Sequence, residues 1–177
     1  KQTLSDVLKD IKRALYHFRQ NGYTSVLDAP KSKRKFIIVD EGAELTPAPH
    51  HTKEEKVVYS YCQHALSEIA RIGGALGYRL IFATQYPTAD TLPRQIKQNA
   101  DAKISFRLPT EVASRVALDE QGAEKIGVPG RAIYRTYEKY VVQVPYIDDK
   151  NILERLEKYV TTNQKTAKRR KDTVIFG

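Results

Sequence analysis

Apolar residues recur every three or four positions at the start of the chain, where Leu4, Val7, Leu8, Ile11, Leu15 and Phe18 share one helical face. The spacing predicts a helix over 4–20, with Thr3 and Asp6 as a capping pair and Asn21-Gly22 as its stop. The period then changes. Phe36-Ile37-Ile38-Val39 is an unbroken apolar run, which reads as a strand buried on both faces in a parallel sheet covered by helices. Pro47 and Pro49 forbid a regular helix in 46–52. A long amphipathic helix is expected over 53–72, with Val57, Tyr61, Ala65, Ile69 and Ile72 on one face and Gly73, Gly74 and Gly77 closing it. Residues 79–84 read as a second buried strand ending at Gln85, and 102–108 as a third, alternating at Ile104, Phe106 and Leu108. Thr110 caps a short helix carrying Val112 and Val116, and strands follow near 131–135 and 140–145. Asp148 opens a last helix with Ile152, Leu153, Leu156, Tyr159 and Val160. Strands alternating with helices give an α/β layered fold with a largely parallel sheet.

Composition adds limits. The chain has 177 residues, enough for one domain with its own core, and no apolar run approaches the length that spans a membrane. The single Cys62 excludes an internal disulfide, suits a reducing cytosol and sits within a helical pattern, where packing is its expected role. Thirty Lys and Arg against 21 Asp and Glu leave a net charge of +9, which favours a polyanionic partner. Part of that excess is local, in Lys31, Lys33, Arg34 and Lys35 and in a tail with Lys165, Lys168, Arg169, Arg170 and Lys171. Either cluster is equally readable as a solvated linker or tail. The chain has no Met and opens inside a helical pattern, so a piece of a longer protein is expected.

The chemistry concentrates at two strand ends. The first apolar run stops at Asp40-Glu41, and the second at Thr84-Gln85. In a parallel sheet both carboxyl ends lie on one edge and face one ligand. One acid there can hold Mg²⁺ through its water shell, and the other can orient a water for attack on a phosphate. A Gln at the neighbouring strand end can report a terminal phosphate. Solvated polar residues leaving a strand give the same pattern.

Val39-Asp40-Glu41-Gly42-Ala43-Glu44-Leu45 is similar to the VDEFADM-type Walker B segment of the FtsK/SpoIIIE family of DNA translocases, and Ala83-Thr84-Gln85-Tyr86-Pro87 resembles its ATQRP segment. Residues 96–107 resemble IKANIPTRIAF, and Ser114-Arg115-Val116-Ala117-Leu118-Asp119 with Gly122-Ala123-Glu124-Lys125 resembles SRTILDQGGAEKL. Gly130-Arg131-Ala132-Ile133-Tyr134 stands at a Gly-rich turn into a strand, and the order holds from about residue 36 to 147. The resemblance implies a RecA-like P-loop NTPase fold, a homo-hexameric ring around double-stranded DNA, and ATP with Mg²⁺ between subunits. It implies Asp40 as the metal-supporting residue, Glu41 as activator of the attacking water, and Thr84 and Gln85 as nucleotide contacts, Gln85 sensing the γ-phosphate. Lys53, Lys56, Arg94 and Lys97 are its candidates for phosphate-directed DNA contacts.

Departures from the family matter too. No Gly-x-x-x-x-Gly-Lys-Ser/Thr occurs in the chain, so a P-loop is expected upstream of it. The family often carries an Arg, resembling a trans-acting finger, where this chain has Gly74. Arg71, one helical turn earlier, is the proposed substitute, with Arg79 and Arg115 as other options. Tyr86 and Lys103 replace family arginines, which points to a divergent branch such as a conjugative coupling protein, in a cytoplasmic domain of a bacterial protein whose membrane anchor and transfer machinery lie outside this segment. Residues 1–160 are then the carboxyl-terminal part of the motor domain, and 161–177 a basic tail. Rival readings are a degenerate ATPase-like interaction module that does not hydrolyse ATP, a secretion-type ATPase domain engaging a protein, and a Mg²⁺ nuclease built on Asp40, Glu41 and Glu44. His50-His51 lacks the partners that would complete a zinc site.

Overall fold

The computed structural model describes residues 2–30 and 33–157, so Tyr159, Val160, the basic tail and Lys31 lie outside the described residues. Helix α1 (Gln2–Asn21) ends where Gly22 takes a φ of 69°, a conformation that carries no steric penalty for glycine. Thr3 lies inside the helix rather than before it, so the expected capping pair with Asp6 is not its start. Strand β1 (Lys35–Val39) and strand β2 (Tyr78–Phe82) pair in parallel without offset, from Lys35 opposite Tyr78 to Val39 opposite Phe82.

Helix α2 (Lys53–Ile72) makes the crossover between them. Its start is fixed by a reciprocal capping box: the Glu55 amide donates to Thr52 Oγ1 at 3.2 Å, and the Thr52 amide donates to Glu55 Oε2 at 2.8 Å. Its end comes at Gly73, whose amide still reaches the Ile69 carbonyl at 2.9 Å. Ile11 and Phe18 of α1 and Leu66 and Ile69 of α2 form a core with Leu76, Tyr78 and Ile96, and Ile37, Val39, Leu80 and Phe82 pack on it from the sheet. Cys62 is buried in α2 as a free thiol. The buried stripe of α2 runs through Cys62, Ala65, Leu66 and Ile69, while Val57, expected on it, is exposed.

β1 is not buried on both faces. Phe36 and Ile38 are 62% and 69% exposed, and Ile81 beside them on β2 is 48% exposed. The pair is covered on the helical side alone among the described residues.

A second, three-stranded sheet has the order β3-β4-β5, with β3 (Lys103–Ser105) antiparallel to β4 (Arg131–Arg135) and β5 (Lys139–Gln143) beyond it. Among the described residues the parallel pairing is that of β1 with β2. Helix α3 (Arg94–Gln98) precedes this sheet, and helix α4 (Glu111–Leu118) follows β3. Thr110 caps α4 as expected, accepting from the Ala113 amide at 3.1 Å. Leu118, Ala123, Ile126 and Ile133 form the second core, with Leu108 against it. Of the alternation read over 102–108 only Leu108 meets the core: Ser105 is buried, while Ile104 and Phe106 are exposed. The Ser105 hydroxyl is satisfied locally, donating to the Phe106 carbonyl at 3.0 Å.

Contacts divide the chain after Val142. In the piece that begins at Gln143, helix α5 spans 149–157, and the Asp148 carboxylate accepts from the Lys150 amide at 3.4 Å and from Asn151 Nδ2 at 3.3 Å.

Leu66→Ala should cost about 2–5 kcal/mol of unfolding free energy, because Leu66 is fully buried where α2 meets α1. Val57→Ala on the same helix should change urea unfolding by less than about 0.5 kcal/mol.

Candidate functional site

The in-register pairing of β1 and β2 carries past their ends. The Ala83 amide donates to the Val39 carbonyl at 2.8 Å, and the Gly42 amide to the Ala83 carbonyl at 2.7 Å. Glu41 is thereby set beside Thr84 and Gln85. Its carboxylate accepts three hydrogen bonds: Oε1 from the Thr84 hydroxyl at 2.6 Å and the Ala43 amide at 3.0 Å, and Oε2 from the Gln85 amide at 2.9 Å. Burial pushes this carboxyl up, but the Thr84 hydroxyl and the Gln85 and Ala43 amides together pull it below the usual range. A carboxylate has about four lone-pair positions. Three are filled here, and the remaining one lies on Oε2.

Close approach at this turn depends on Gly42: a Cβ there would fall inside the Phe82 ring. The 3-10 helix Gly42–Leu45 follows, with Glu41 as its capping residue. Asp40, one residue earlier, is exposed and has no side-chain partner among the described residues. Its free carboxylate oxygens are hard donors suited to Mg²⁺. The Gln85 side chain is exposed at the same strand end, held through its own amide to Glu41. Asp40, Glu41, Thr84 and Gln85 are thus brought together. Thr84, read from sequence as a nucleotide contact, here donates its hydroxyl to Glu41.

The other expected residues lie elsewhere. Arg71 is in the last turn of α2, which runs from the carboxyl end of β1 back to the amino end of β2, so it belongs to the opposite edge of the sheet. It is held by Glu68 through Nε at 3.0 Å and Nη2 at 2.7 Å. Arg79 Nη1 donates to the Gly74 carbonyl at 2.6 Å on that same edge, and Arg115 is paired with Glu111 at 2.7 Å. Lys53 and Lys56 lie in the first turn of α2, where Lys56 Nζ donates to the Pro49 carbonyl at 3.2 Å. Arg94 is exposed at the start of α3. Lys97 is committed to Asp119, its Nζ 2.7 Å from Oδ1.

Sequence reasoning missed Asp119 as a hub. It ends α4 in the left-handed region (φ 64°) and faces Lys97, Lys103 at 3.5 Å and Arg135 at 3.9 Å. The signal available was an Asp immediately after an apolar helical pattern, a residue type that tolerates that conformation. Also missed was the Thr52-x-x-Glu55 capping box, legible as a spacing. His51 serves the loop before it, its Nδ1 accepting from the Ala48 amide at 2.9 Å and its ring stacked on Tyr59. No group of three or more metal-ligating side chains occurs among the described residues.

A parallel strand pair with a helical crossover, acids at one strand end and a Gln at the next define the class: an α/β fold of the RecA-like P-loop NTPase type. Solved structures share it. The chain is similar to the pCW3 conjugation coupling protein TcpA, with a TM-score of 0.81 and 23% identity over 90% of this chain and 48% of that one. It is also similar to the cytoplasmic domain of the Thermomonospora curvata type VII secretion ATPase EccC, with a TM-score of 0.64 and 22% identity over 81% and 17% of the two chains.

In sequence the chain is similar to FtsK DNA translocases. It is 31% identical to DNA translocase FtsK 2 of Ralstonia nicotianae over 118 residues, 64% of this chain and 14% of that protein. It is 30% identical to FtsK of Agrobacterium fabrum over 128 residues, 71% and 13% of the two. It is 29% identical to FtsK of Bacillus cereus over 152 residues, 84% and 18%. It thus spans less than a fifth of the length of these relatives. No family model matches the chain.

The hydrogen bond from Lys97 holds the Asp119 carboxyl below the usual range against the opposing effect of burial, with Lys103 adding to it. A folded value below the unfolded one gives stabilisation that is complete above the unfolded value and lost as pH falls through the folded one. Asp119→Asn keeps a side chain that tolerates the left-handed turn. It should lower stability at neutral pH by up to about 1 kcal/mol, these pairs being part-exposed, and match the parent in acid. Urea unfolding across the acid range is the check.

Proposed function

We propose that this chain is part of an ATP-driven motor that translocates double-stranded DNA. The observation that carries this reading is the Glu41 carboxylate, ionised by its three donors and left with one free lone pair beside an unpartnered Asp40. Such a group accepts a hydrogen bond from a water and would orient it for attack on a phosphate. Asp40 would hold Mg²⁺ through its water shell, and the ion would supply charge neutralisation on the phosphates. The Gln85 side chain, whose backbone amide donates to Glu41, would feel a terminal phosphate and pass that contact to Glu41. Residues 1–160 would belong to the motor domain and 161–177 would form its basic tail, with the phosphate-cradling loop in an upstream segment.

Arg71, on the edge away from Glu41, serves only a neighbouring copy, which fits a homo-hexameric ring. To act there it must leave Glu68. Lys53, Lys56 and Arg94 would touch the DNA backbone, and Lys97 would join them only by releasing Asp119. Likeness to a conjugation coupling protein supports a role in conjugative transfer by a cytoplasmic domain, with the membrane anchor and transfer machinery elsewhere. Among the described residues no helix is long and apolar enough to cross a membrane. The likeness to a secretion ATPase supports a second reading, hydrolysis that drives a protein instead of DNA.

ATP hydrolysis by the intact protein, with and without linear duplex DNA, separates the two. DNA stimulation is expected, and hydrolysis indifferent to DNA would favour the secretion reading. Glu41→Gln should abolish turnover while sparing nucleotide affinity, and unimpaired turnover would refute the assigned role. Arg71→Ala should slow hydrolysis by about 10³ or more in the assembled ring and leave a dissociated form unaffected.

A further inference from the structure

Two pairs of cations lie at the ends of the β3–β4 ladder, and only one of them is neutralised. At one end Lys103 faces Arg135 across the strands. Like charges in that position repel, and the repulsion is relieved by Asp119, 3.5 Å from Lys103 and 3.9 Å from Arg135, with Glu120 a further 3.9 Å contact to Arg135. At the other end the ladder stops at Ser105 and Ile133. Just beyond it lie Arg107, two residues after Ser105, and Arg131, two residues before Ile133. Both are exposed, both line one cleft of about 220 Å³, and neither guanidinium has a hydrogen bond or ion pair among the described residues. No acid lines that cleft. Its wall is Phe106 and the turn from Ile126 to Gly130, and the turn's last residue takes a φ of 72° and delivers Arg131 to the cleft mouth.

We propose that Arg107 and Arg131 form a binding site for a phosphate group, supplied either by a nucleic-acid backbone or by a free phosphate compound. Guanidinium forks match phosphate oxygens in pairs, and two of them lining one cleft would neutralise a doubly charged group. The anion would do at this end of the ladder what Asp119 does at the other. The site is separate from the Glu41 edge, and only its nucleic-acid form rests on the translocase reading.

The test uses the intact protein with Arg107→Gln, Arg131→Gln and Arg107→Lys. Without added phosphate, each Gln variant should melt no lower than the parent, because it removes a repulsion. Clear destabilisation would assign the pair a structural role and overturn the proposal. Inorganic phosphate, compared with chloride at equal ionic strength, should raise the melting temperature of the parent and not of the Gln variants, with Arg107→Lys partly restored. In parallel, duplex affinity is measured against salt. A fall in slope of about 0.9 for each lost contact identifies the backbone as the source. An unchanged slope with phosphate stabilisation lost identifies a free phosphate compound, and both readouts unchanged overturn the site. If the parent binds no duplex, the translocase reading fails, while the phosphate arm still decides the cleft.

Discussion

Everything at the candidate site depends on the register of two short parallel strands. Val39 stands opposite Phe82, so the residues that follow leave the sheet side by side and the Glu41 carboxylate meets Thr84 and the Gln85 amide at 2.6 and 2.9 Å. A slip of one residue would turn every side chain of one strand to the other face and part these groups. The register is specified by what lies beneath: Ile37, Val39, Leu80 and Phe82 all point at the α1–α2 core. The chemistry at the strand ends is therefore fixed by hydrophobic packing several residues away, and α2, as the crossover, ties both strands to that packing.

The same packing fixes how closely the turn after β1 approaches β2. Gly42 stands where the VDEFADM-type segment has Phe, and in this chain the ring of Phe82, from the neighbouring strand, fills the space that a side chain at 42 would need. The turn can then lie close enough for the Gly42 amide to reach the Ala83 carbonyl at 2.7 Å, which continues the ladder beyond the last paired residues and holds the backbone of Glu41 in line.

Much of this was legible in the sequence, and the failures share a cause. Helical periods over 4–20 and 53–72 gave α1 and α2 nearly to the residue, and the strand ends showed that Asp40, Glu41, Thr84 and Gln85 come together, though not that Arg71 lies away from them. The errors concern faces. Phe36 and Ile38 have the composition of a strand covered on both sides, yet within the described residues they meet solvent. Ile104 and Phe106 mislead in the same way: they share the alternation over 102–108 with Leu108, which alone of the three meets the core. Periodicity reports the environment for which a strand is suited; the contacts in one chain report only what that chain supplies. Covering the outer face of β1 and β2 would add burial worth about 1.5–3 kcal/mol for each large apolar side chain, enough to stiffen a two-stranded pair that is marginal by itself. The Glu41 geometry sits at the end of that pair. Its precision is therefore tied to how firmly both faces are held, and a site legible as four residues is physically a property of the whole sheet.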